Sequence, residues 1–314
     1  MSEKEDGTAE LRRRLTAEQY RVTQEAGDTA QRVLDLCIRA FDYLPPVDVT
    51  FGDYLRALVT ADAELNPDDP LALRASLVES FLARGIYPSN VLSLNEESLL
   101  WDAADVKGLL EPLDDKILSR LLTADARSWG ARRRSYGYED TEDSTRIAQQ
   151  LHRYARDNHA ELGLQPHSKE KAPISVSGFH TMFRVGDDGL LLTEASVQFS
   201  QRRTTDDRSN WGGVQPRAGT TVIFSGDGTP RYVISKPLPN DQLTHDENKQ
   251  AKKRLEAMDQ FVAESDDRDP HFSWIDEESS PLGARMLRRY DISAIHQGVR
   301  RSRPRRNRRS GPHE

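Results

Sequence analysis

The sequence predicts an α+β fold, an all-helical N-terminal region followed by an antiparallel sheet with a helix against it. Apolar residues recur at helical three- and four-residue spacing until about residue 162. From Ile174 onward the period becomes two, as in half-buried strands. Asp-Gly turns, Gly186-Asp187-Asp188-Gly189 and Gly226-Asp227-Gly228, punctuate the alternating stretches. The expected organisation is disorder over 1–10, a helical region over 11–162 with core helices at 30–88, and a linker at 163–173. A sheet-plus-helix region over 174–298 and a basic disordered tail over 299–314 complete it.

The first ten residues are polar, and Leu11 to Glu25 reads as a surface helix. The next helix places Val33/Leu34, Cys37/Ile38 and Phe41 on one face and ends at Tyr43-Leu44-Pro45-Pro46. Thr50 and Asp53 form a capping-box pattern for a helix burying Leu55, Leu58, Val59 and Leu65, with Val49 and Tyr54 placed for a hydrophobic staple. After the turn Asn66–Pro70, a third helix directs Leu73, Leu77, Val78, Phe81 and Leu82 inward, and Gly85 supplies its left-handed C-cap.

Helix is also expected near Glu96–Trp101, where Trp101 beside two leucines reads as core, over Val106–Leu122, and over Thr145–Leu162 through Ile147, Leu151 and Tyr154. The charged stretch Ala124–Ser144 reads as a mobile loop. In the second region Ile174–Ser177 and Met182–Val185 read as short strands, and Leu190–Gln201 as the returning strand. A polar loop over Thr204–Gly219 leads to a second hairpin, Thr220–Phe224 with Arg231–Ser235, before a charged helix over Asn248–Ala263.

Composition bounds the function. At 314 residues the chain has room for one large domain or two ordinary ones. With 36% hydrophobic and 30% charged residues the core is expected to be thin. The net charge of −7 conceals an asymmetry, since 300–314 holds seven arginines and one glutamate. A single cysteine, Cys37, excludes an internal disulfide and suits a reducing compartment. No leader-like or membrane-spanning apolar run occurs, so a cytoplasmic protein without membrane contact is expected.

The segments Tyr43-Leu44-Pro45, Phe51 to Leu65 and Val78 to Gly85 resemble the C-terminal helical lobe of thermolysin-like (gluzincin) metallopeptidases. In some long bacterial members such a lobe precedes a β-rich region. Members carry zinc on a His-Glu-x-x-His helix upstream of the lobe, because two histidines one turn apart share a face and the glutamate acts as base. None of the eight histidines forms that pattern. The resemblance therefore implies a non-catalytic companion or C-terminal fragment acting by protein–protein contact. Zinc is expected only from a partner chain, and this chain is expected to hold no cofactor of its own.

Two other readings stand beside it. One is an enzyme of unassigned class with a site in the sheet region, for which His180, Glu194 and Trp211 are the candidates. The other is association with nucleic acid or another polyanion through Arg300, Arg301, Arg303, Arg305, Arg306, Arg308 and Arg309.

Overall fold

A computed structural model describes residues 2–102, 110–121, 142–169, 171–186, 190–202 and 217–266. Its helices are α1 (Ser2–Arg39), α2 (Phe51–Leu65), α3 (Leu73–Leu82), α4 (Glu96–Leu99), α5 (Glu142–Asp157) and α6 (His245–Asp266). A 3-10 turn over Ala40–Tyr43 follows α1, and residues 115–121 are helical as well. The strands β1 (Ile174–Val185), β2 (Leu191–Arg202), β3 (Arg217–Phe224) and β4 (Pro230–Lys236) form one antiparallel sheet in the order β1-β2-β3-β4.

Local signals hold closely in α2 and α3. Asp53 N–H donates to Thr50 Oγ1 at 3.2 Å and Thr50 N–H donates to Asp53 Oδ2 at 2.8 Å, the reciprocal capping box. At the end of α3, Ile86 N–H reaches Phe81 C=O and Gly85 N–H reaches Leu82 C=O. Gly85 sits at φ +71°, so these two bonds make a Schellman cap. The five apolar residues of α3 are half-buried, and the buried residue of that helix is Arg74.

Other expectations need correction. Residues 2–10 are helical, because α1 is one unbroken helix from Ser2 to Arg39 that also spans the gap between the two helices expected there. One glycine costs about 1 kcal/mol in a helix interior, which a ladder of consecutive backbone bonds absorbs. Tyr54 does not staple back to Val49. It packs on Phe41 at 5.5 Å and donates to Cys37 C=O, leaving Val49 48% exposed. The two short strands expected at 174–185 are one strand, with a bulge between Val176 and Gly178 where the side-chain alternation slips. β3 begins at Arg217, inside the expected polar loop, and the rest of that loop lies outside the described residues. So do residues 124–141 of the expected charged loop, while Glu142–Ser144 open α5.

The sheet is covered on both faces. Leu118, Leu121, Ile147, Leu151 and Tyr154 pack on one face against Ala195, Val197, Phe199, Val222 and Phe224. On the other, Leu36, Tyr43, Leu44 and Leu58 pack against Met182, Ile223, Tyr232 and Ile234. The helical and sheet regions are thus adjacent layers sharing a core. The segment expected as a linker is part of that packing: Leu164 is 1% exposed, and Gln165 exchanges two hydrogen bonds with the Gln201 side chain.

The chain after α1 lies flat across the sheet. Thr221 Oγ1 donates to Leu44 C=O at 2.5 Å, and Gly219 faces Val47 so closely that a Cβ there would sit 2.7 Å from its methyl. This close crossing positions Arg39 and Asp42 above the strands.

Candidate functional site

The chemistry-bearing side chains of the sheet gather under that crossing. β2 alternates: Ala195, Val197 and Phe199 face α5, so Glu194, Ser196 and Gln198 must face the N-terminal helices. His180 on β1 stands opposite Ser196 in the register, and Met182 opposite Glu194.

His180 Nε2 lies 2.7 Å from Asp42 Oδ1, and Arg39 donates to Asp42 Oδ2 at 3.1 Å. Arg39 also approaches Glu194 Oε2 at 3.7 Å, too long for a hydrogen bond. Arg184 donates to Glu194 Oε1 at 2.8 Å. Arg231 joins both carboxylates, donating to Glu194 and, from Nη2, to both oxygens of Glu64 at 2.8 Å. Tyr232 completes the set by donating its hydroxyl to Glu64 at 2.5 Å.

Three guanidiniums thus face three carboxylates, with His180 at one end. Glu194 and Asp42 are each 1% exposed, while Arg184 and Arg231 keep about a fifth of their side-chain surface. Burial would lower the pKa of Arg231, but Glu64 and Glu194 outweigh it and hold the guanidinium charged. Burial, reinforced by Glu64, pushes the Tyr232 hydroxyl well above the usual phenol range. Tyr43, edge-on to Tyr232 at 5.5 Å, is raised chiefly by its own burial. Both hydroxyls therefore stay protonated at ordinary pH, and that of Tyr232 donates to Glu64.

Two smaller charge clusters secure other joints. Lys236 binds Asp53 and Asp48 C=O at 2.6 Å each, and Arg254 binds Asp48 at 2.8 Å, tying β4 and α6 to the segment entering α2. Burial raises the Asp48 carboxyl, with Arg254 opposing the effect. Arg74, 6% exposed, joins Asp62 at 3.0 Å and Glu96 at 2.8 Å.

The structure brings His180 and Glu194 into one network, linked through Asp42 and Arg39. Trp211 and the arginines from Arg300 to Arg309 lie outside the described residues. Sequence reading missed Arg39, Asp42, Glu64, Arg184, Arg231 and Tyr232. The available hint was the polar set Glu194, Ser196, Gln198 on a strand whose alternate residues are apolar, which two-sided burial turns into a charged seam.

Among the described residues, no group of three or more His, Cys, Asp and Glu side chains is placed to hold a metal ion. None of their helices is long and apolar enough to cross a membrane. Comparisons with protein-family models, with curated proteins and with solved structures give no match to this chain. What the arrangement can do follows from its geometry. Salt links that join α1, α2, β1, β2 and β4 clamp the helical layer to the sheet in one orientation.

Proposed function

We propose that the chain acts by protein–protein contact, as a non-catalytic companion of a gluzincin-like peptidase chain that carries the zinc helix. The observation behind this is the employment of His180 and Glu194, both bound into the clamp between layers. A general acid or base must reach the proton it moves, and Glu194, 1% exposed and held by arginines, faces its own fold.

A contact surface stands elsewhere. Every residue of α1 from 16 to 32 is exposed, Tyr20 by 66% and Val22 by 58%. A helix so polar all round gains little from its own body and suits a bridging role. The choice of partner rests on the likeness of Tyr43 to Gly85 to a peptidase lobe, and the cytoplasm is the compartment we assign to the pair. Zinc, in this reading, arrives with the partner.

Affinity purification of the full chain from its host, with zinc measured in the eluate, tests the proposal. The expected result is a zinc-bearing companion that is lost with Tyr20→Glu plus Val22→Glu while the melting temperature stays unchanged. Peptide cleavage by the isolated chain, stopped by a chelator, overturns it.

A further inference from the structure

The segment between α5 and β1 is closed by a histidine. Ser168 and Ala172 exchange two backbone hydrogen bonds, at 3.0 and 3.1 Å. One step further out, the backbone N–H of Ile174 donates to His167 Nδ1 at 3.1 Å. The imidazole thus extends a two-rung ladder by one side-chain rung, and the donor to it is the first residue of β1. In the order β1-β2-β3-β4, β1 is an edge of the sheet.

This rung exists in one protonation state. Accepting an amide proton needs the lone pair on Nδ1, which places the imidazole hydrogen on Nε2. Protonation turns Nδ1 into a donor that points at another donor. The neighbours add to the cost. The His152 ring of α5 meets His167 edge-on at 4.9 Å, and Arg156 of α5 and Lys169 of the loop act on His167 as further positive charges.

We propose that His167 is an acid-released latch, which holds the start of edge strand β1 at neutral pH and lets it go when the imidazole is protonated. The direction follows from the fold. Burial and then His152, Arg156 and Lys169 lower the pKa of His167 below its ordinary 6.5. The unfolded chain therefore takes up the proton first. The latch contributes in full above pH 6.5, and its contribution is lost as pH falls through the lower value of the folded state. The bonds from Gln201 to Gln165 C=O and Ala172 C=O do not titrate in this range, so release is confined to the junction of His167 with Ile174.

Amide exchange and histidine-ring titration by NMR on the full chain test this. On going from about pH 7.5 to about pH 5, the Ile174 protection factor, corrected for intrinsic exchange, should fall. In His167→Gln, whose side-chain oxygen accepts the same bond but does not titrate, protection should stay level. In His152→Gln the midpoint of the loss should move upward. Constant Ile174 protection in the wild type, the same loss in His167→Gln, or a His167 ring titrating at or above 6.5 each overturns the latch.

Discussion

The two faces of the same sheet are stabilised by different chemistry. Toward α5, β2 presents Ala195, Val197 and Phe199, all 0% exposed, to leucines and an isoleucine. Toward α1 and α2 it presents Glu194, Ser196 and Gln198, each at most 1% exposed. The apolar face gains on the order of 25 cal/mol per Å² removed from water, with little demand on direction. The polar face gains little net free energy, because desolvating an ion pair offsets most of its attraction. What it adds is direction, since a guanidinium binding two oxygens accepts few orientations. The face toward α5 is held by apolar packing, while the face toward α1 and α2 joins the apolar cluster around Leu36, Tyr43, Leu44 and Leu58 to a charged seam that specifies how the layers dock. Several polar atoms at that seam, among them Arg39 Nη2, Glu194 Oε2 and Ser196 Oγ, have no hydrogen-bond partner among the described residues. The clamp is therefore less well satisfied than the apolar core beneath it.

The comparison breaks first at Glu194. Glu194→Ala strands arginines in a buried site and is expected to cost about 3–5 kcal/mol, read from denaturant unfolding. Arg39→Met combined with Glu194→Leu should lose less than the sum of the single variants, with a coupling of about 0.5–3 kcal/mol. Strict additivity would mean that their 3.7 Å approach carries no energy. On the apolar face, Phe199→Ala should also cost about 3–5 kcal/mol, from lost transfer energy and the cavity left behind. No second substitution should rescue it selectively, and that asymmetry separates the two faces in one set of melts. Smallest is Thr50→Ala, which removes one capping partner at the start of α2 and should lower stability by about 0.5–2 kcal/mol. A larger loss there would mean that Asp53, left without Thr50, also releases Lys236.

Legibility followed distance along the chain. The Thr50/Asp53 box, the Gly85 cap and the Gly228 turn were read from a few residues each, because each is a bond between near neighbours. The burial of Ile147, Leu151 and Tyr154 followed from one helical stripe. Of the site, His180 and Glu194 were singled out for their residue type, but their work was not visible. Asp42 lies 138 residues before His180, and Glu64 lies 167 before Arg231. The unbroken run of α1 was missed for another reason, since a polar, glycine-containing stretch gives propensity alone little to weigh.

By itself the sequence determined where helices cap, where strands turn and which residues are apolar enough to be covered, since these depend on spacing within a few residues. Only the tertiary structure decided that the sheet is buried on both faces, and hence that Glu194 and His180 are clamped rather than open to solvent. A carboxylate on a strand has the same local signature whether water or an arginine faces it. The answer rests with Arg39 and Asp42, which reach Glu194 and His180 only when the chain from α1 to α2 is laid across β1–β3.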